Sequence, residues 1–200
     1  YVSSLQRHVA TMPGCLEYAW AVCRPAFLDG TIPETAWQRV KMVDIAPFPK
    51  FSEAALRLLG VDIAGVKAIR NICDNFVRVS PINLLFAGIV ERLIGGAVPG
   101  GEDTPAAPWT PPDMLVPMPA MVDVAAAPRD VAAVLMQLKS EIGAKPFVPG
   151  LYRLLADWPA YLAHGATLIA PLLHNEAEKQ ARASIAEEII AAADDIIATL

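Results

Sequence analysis

Residues 2–28 and 148–174 of this 200-residue chain match at a constant offset of 146. Identities fall at Val2/Val148, Leu5/Leu151, Arg7/Arg153, Ala10/Ala156, Pro13/Pro159, Leu16/Leu162 and Pro25/Pro171, while Tyr1/Phe147 and Met12/Trp158 keep their character. The decisive pairs are the prolines, which hold the same 12-residue spacing in both copies. Proline fixes φ and lacks an N–H, so its position is set by backbone geometry. The segments read as two copies of one helical unit, which restricts the chain to a duplicated helical architecture.

Helix signals fill in the rest. Pro13 and Pro159 suit the first turn of a helix, so each copy predicts a short helix (about 3–11 and 149–157) and a longer one (about 13–28 and 159–173). Thr31-Ile-Pro-Glu34 reads as a capping box opening a helix to about Met42. Ser52 starts another that stops at Gly60, and Asp62 caps one from Ile63 to Val79. Ser80-Pro81 is expected to cap the next, ending at Gly95-Gly96, and Pro128 opens a helix to Gly143. Asn175 caps the last, whose apolar positions 185, 189, 190, 193, 196, 197 and 200 fit a 3.6-residue period. No segment alternates every second residue, so the expected class is all-α.

The expected organisation is a first helical repeat at 1–97, a Pro-rich linker at 98–127 and a second repeat at 128–200. Eight prolines lie between residues 98 and 128, beside Gly100-Gly101. Met114, Leu115, Val116, Met118 and Met121 are too apolar for a free tether and predict a belt packed over helices. The second copy is preceded by a helix that the first lacks, and the first is followed by three helices that the second lacks. With Tyr at position 1, these differences predict a longer parent protein with further helices at both ends.

Composition narrows the function classes. Hydrophobic residues make up 54%, charged residues 18%, and mean hydropathy is +0.40. Such a chain cannot leave its apolar surface in water, which excludes disorder. The best membrane-span candidate, Pro81 to Val98, is broken by Glu91 and Arg92, so no membrane role is expected. A net charge of -5 gives no basic field for nucleic acid. Cys15, Cys23 and Cys73 form no Cys-x-x-Cys pair, and His8, His164 and His174 are scattered, so neither a disulfide framework nor a metal site is expected. The chain reads as cytoplasmic and reduced.

In order along the chain, "HVATMPGCLEYAW", "RLLGVD" to "SPINLL", "LVP…VD" and "LADWP" resemble the group I 2-haloacid dehalogenases of the DehI type. The resemblance covers nearly all 200 residues and rests on order, spacing and prolines. It implies an all-α fold of two pseudo-symmetric repeats joined by a long linker, with a pocket between them. It also implies hydrolysis of short 2-haloalkanoic acids by direct attack of an activated water, with no cofactor and no covalent ester. Such chemistry needs a carboxylate as general base beside a water held in line by an amide.

Carried over residue by residue, the water-orienting amide position is Ser80, directly before Pro81. The base position, two residues ahead of Arg153, is Leu151, and leucine cannot accept a proton. Tyr1 matches the family's aromatic near the start of the first repeat, Ser4 a further lining position, and Gly150 a hydroxyl residue before the base. Phe147 is the pocket candidate equivalent to Tyr1 in the second copy. Glu141 and Asp157 are the carboxylates nearest Leu151 in sequence. The resemblance implies a small organic acid as ligand, and the apolar faces at the ends imply a homodimer. An alternative is a non-catalytic relative that binds a small organic acid or a protein partner.

Other candidates have simpler readings. Ser80 can be an N-cap as well as a ligand for water. Asn71, Asp74, Asn75 and Arg78 share one helical face and read as a solvated stripe with an Asp74–Arg78 pair. Cys73, on the opposite side with Val77 and Ser80, reads as a small buried filler. Arg7 and Arg153 recur in both copies, which favours a structural role over a carboxylate clamp. Trp20, Tyr152 and Trp158 read as core, and His164 as a core or surface histidine. The "EEIIAAADDII" charges read as the solvated side of the last helix. An alkylhydroperoxidase-D-like redox function is excluded by the missing cysteine pair and histidine.

Overall fold

Polar side chains at the expected caps satisfy backbone donors that a helix start leaves unpaired. Ser52 Oγ accepts the Ala55 N–H at 3.1 Å, Asp62 Oδ1 the Gly65 N–H at 2.7 Å, and Asn175 Oδ1 the Ala177 N–H at 2.9 Å. The computed structural model describes residues 4–41, 50–101, 107–112, 116–140, 146–173 and 175–200. Within them the chain forms helices α1 (Ser4–Val9), α2 (Cys15–Leu28), α3 (Thr31–Lys41), α4 (Glu53–Leu58), α5 (Ile63–Ile94), α6 (Arg129–Gln137), α7 (Gly150–Leu155), α8 (Pro159–Leu173) and α9 (Glu176–Ile197). No strand forms among the described residues, where an isolated antiparallel bridge joins Ser140 to Phe147. The class is all-α.

Four local expectations are corrected. The break at Ser80-Pro81 is absent: α5 is one 32-residue helix with Pro81 inside it. Pro81 removes one backbone donor, at a cost of about 3 kcal/mol. Its N-terminal half buries Ile69 and Ile72 and its C-terminal half Leu85, Phe86, Ile89 and Val90, so packing outweighs the lost bond. Pro13 stands outside α2, whose start is set by Gly14 at φ +74°. Thr31 lies inside α3, and its N–H is taken by Asp29 Oδ1 at 2.9 Å, so Asp29 does the capping. Finally, α6 stops at Gln137, not Gly143.

The chain divides into two compact units. The first comprises residues 1–45, 77–115 and 181–200. Its core joins Ala19, Cys23 and Ala26 of α2, Ile32 and Ala36 of α3, Leu85, Phe86 and Ile89 of α5, and Ile189, Ala193 and Ile196 of α9. Gly88 permits close approach of α9, since a Cβ there would lie 3.1 Å from Ile189 Cγ2. The acidic residues of α9 are partly engaged here: Arg92 holds Asp194 with two bonds of 2.6 and 2.8 Å, and Arg39 meets Glu188 at 2.8 Å. At these exposures solvent screens both pairs, and neither is a large source of stability. Trp20, expected in the core, is 48% exposed and touches Phe27 at a centroid distance of 5.6 Å.

The second unit comprises residues 46–76 and 116–180. Its core gathers Val61, Ile69 and Ile72 with Leu135, Leu138, Val148, Leu154, Leu155, Leu162 and Ala166. Met118, Met121, Val122 and Val124 pack against it. Arg153 secures that stretch by donating from Nε to the Val122 carbonyl at 2.8 Å. Asn75 corrects the solvated-stripe reading: it is 6% exposed, and its Nδ2 donates to the Val116 carbonyl at 2.7 Å. A buried amide with a partner is stable where an unpaired one is not.

Candidate functional site

Local sequence decides where each carried-over position falls. In the second unit, Pro149 ends an extended stretch at φ -55°, ψ 143° and becomes the N-cap of α7, so Gly150 and Leu151 open that helix. Gly150 lies against Met121 and Phe76: a Cβ there would be 3.2 Å from Met121 Sδ and 3.4 Å from Phe76 Cζ. Leu151 is partly buried and packs on the apolar cluster of this unit. Phe147 is 45% exposed, its backbone paired with Ser140. In the first unit, Ser80 sits mid-helix in α5 and is exposed, with Val77 one turn earlier 71% exposed. Mid-helix placement removes the capping explanation for Ser80. Tyr1 and Glu141 lie outside the described residues, as does the side chain of Ser4, the first residue of α1. Asp157 is exposed in the turn after α7.

Phe147, Gly150 and Leu151 are therefore brought together at one helix start, without a carboxylate among them. The second unit also holds two cavities that sequence reading missed. One, of about 290 Å³, is walled by Phe51, Leu56, Val61, Val66, Ile69 and Tyr161, with Lys50 and Arg70 also lining it. The other, of about 180 Å³, lies among Leu138, Tyr152, Leu155, Leu162, Ala166 and Ile169, and again touches Phe51 and Tyr161. Phe51 stands 5.5 Å from the Tyr161 ring and 5.2 Å, edge-on, from the His164 ring. The available signal was Lys50-Phe51 directly ahead of the Ser52 cap, which holds an aromatic and a cation at the start of a helix.

Electrostatics in these cavities favour neutral walls. Burial raises the Tyr161 phenol, with a smaller contribution from Cys73, and burial followed by Glu178 raises Tyr152. Both phenols stay protonated at neutral pH and can donate hydrogen bonds. Burial, then the Asp74 charge, also raises the Cys73 thiol, which therefore lacks the thiolate a nucleophile needs. Among the described residues, no carboxylate lines either cavity. Among the described residues no three His, Cys, Asp or Glu side chains gather in a way that could hold a metal ion. No helix there is long and apolar enough to cross a membrane. Chemically, this unit can enclose apolar groups and meet an anion at Lys50 and Arg70.

No protein-family model matches the chain. It is 29% identical over 143 residues to an (R)-2-haloacid dehalogenase of Pseudomonas putida, a match covering 70% of this chain and 47% of that protein. The chain thus spans about half the length of that relative. Solved structures of D-2-haloacid dehalogenases share its fold. A mutant in complex with D-2-CPA and a D-2-haloacid dehalogenase in complex with L-LA both give a TM-score of 0.72 over 97% of this chain and 69% of theirs, at 20% and 23% identity. At those identities the structures speak for the fold alone. The chain is similar to 2-haloacid dehalogenases in sequence and in fold.

Proposed function

We propose that this chain carries a haloacid dehalogenase-like function: cofactor-independent hydrolysis of short 2-haloalkanoic acids by an activated water. The observation that carries the reading is the sequence match to the (R)-2-haloacid dehalogenase of Pseudomonas putida, joined to a fold shared along 97% of the chain. In this reading Ser80 orients the water, Tyr1 and Phe147 wall the pocket, and Ser4 and Gly150 line it. Leu151 occupies the base position without being able to act there, so the base is a different carboxylate, for which Glu141 and Asp157 are the nearest in sequence. Orientation of water and substrate by such groups supplies rate by positioning, and a placed base adds about 10²–10⁴-fold.

The finer organisation belongs to the same proposal: two pseudo-symmetric repeats at 1–97 and 128–200, joined by the Pro-rich stretch 98–127. Supporting it, α1 and α7 begin and end at the repeat offset, and α2 and α8 each contain one proline, Pro25 and Pro171, at that offset. Each compact unit draws residues from both repeats. We extend the reading to a cytoplasmic homodimer that binds a small organic acid.

The test is halide release from both enantiomers of 2-chloropropionate by the full-length protein. Release from either enantiomer is the expected result. One observation favours a second reading: Leu151 is partly buried and packed on an apolar cluster. Silence toward both enantiomers, with saturable binding of 2-chloropropionate, would replace hydrolysis by a non-catalytic organic-acid-binding role.

A further inference from the structure

The 290 Å³ cavity of the second unit owes its shape to four apolar contributions. From α5, Val66 and Ile69 project at helical spacing i and i+3, while α4 supplies Leu56 and the turn between them Val61. Phe51 and Tyr161 close the remaining side, 5.5 Å apart. None of these residues is among the positions carried over for haloacid hydrolysis.

Lys50 and Arg70 line the same cavity and are both exposed, which sets their charges at its mouth while the walls stay apolar. Arg70 follows Ile69 directly and lies one turn beyond Val66, so the cation and the apolar wall come from one helix. Among the described residues, neither Lys50 nor Arg70 forms an ion pair and no acidic side chain lines the cavity. On a chain of net charge -5, two such cations over an apolar hollow select an anion with an apolar tail.

We infer that this cavity binds an aliphatic monocarboxylate with a tail longer than that of a three-carbon acid. The carboxylate sits between Lys50 and Arg70, and the tail runs against Leu56, Val66 and Ile69. A volume of about 290 Å³ far exceeds what a three-carbon acid occupies and leaves room for that tail. This site stands apart from the haloacid reading, and neither depends on the other.

Calorimetric titration of the whole protein with butanoate, hexanoate, octanoate and 1-octanol tests it. Affinity is expected to rise about fourfold per added methylene, the equivalent of about 0.8 kcal/mol, with octanoate at least about tenfold tighter than 1-octanol. The Lys50→Gln, Arg70→Gln double variant should lose about tenfold for octanoate and keep its octanol affinity. Both positions are exposed, and an unchanged thermal midpoint checks that the variant is folded. A Val66→Trp variant, which fills the cavity, should weaken both ligands. Failure of octanoate to saturate, equal affinity for octanol, or an unchanged double variant would overturn the inference, while leaving halide release untouched.

Discussion

Gly30 sits between α2 and α3 at φ +83°, with the Trp109 ring lying over it. A Cβ placed on Gly30 would come within 2.5 Å of Trp109 Cγ and 2.6 Å of Cδ1 and Cδ2, so Gly30→Ala must both strain the backbone and evict the ring. The left-handed conformation costs an alanine about 1–2 kcal/mol. Eviction breaks the bond from Trp109 Nε1 to Glu34 Oε1 at 2.9 Å and the contact with Trp37 at 6.3 Å. Those two, in a partly exposed setting, are worth about 1–2 kcal/mol together. The single variant should therefore lose about 2–4 kcal/mol in urea unfolding followed by far-ultraviolet circular dichroism. In a Trp109→Ala background the ring is already gone, and Gly30→Ala should cost only the backbone share of about 1–2 kcal/mol. Equal cost in the two backgrounds would refute the contact between Gly30 and Trp109 as the source of the constraint.

Cys23 is fully buried, and burial pushes its thiol from 9.0 up to about 12. Its contribution to stability is complete below pH 9 and falls by about 1.4 kcal/mol per pH unit between pH 9 and 12, because only the unfolded thiol ionises there; Cys23→Ala should remove that part of the alkaline slope in urea titrations. Asn75→Ala leaves the Val116 carbonyl without its donor and should cost about 1–3 kcal/mol by the same unfolding assay. Gly150→Ser must move Met121 Sδ from 3.2 Å, which a flexible thioether allows, so the thermal midpoint should change by no more than about 1 kcal/mol equivalent; a larger loss would show that Met121 cannot yield.

Caps and periods were legible because they are local. Ser52, Asp62 and Asn175 each satisfy a donor two or three residues away, and the apolar stripe of α9 lies on one helical face. The misread points depend on distant partners. Ser80-Pro81 has the local form of a helix start, yet the flanking core residues of α5 carry the helix through it. Asn75 looked like one of four solvated polar residues because its partner, the Val116 carbonyl, is 41 residues away. The cavity at Lys50 and Arg70 needs Tyr161, about 90 positions along the chain, to be closed. The reading of Leu151 as a departure at the base position needs only a register and a side chain that cannot take a proton, and halide release is its test.

The placement of Leu151 at the base position is tested most directly by comparing halide release from both enantiomers of 2-chloropropionate for the full-length protein and its Leu151→Asp, Ser80→Asn variant. A carboxylate entering the partly buried site beside the second core cluster should have a raised pKa, which suits a general base near neutrality. If position 151 faces the reacting carbon, the variant releases halide faster than the unmodified protein, by less than the roughly 10²–10⁴-fold of a first base because another carboxylate already serves there. A folded variant with no gain toward either enantiomer would contradict the assignment of positions 80 and 151 to the dehalogenase site.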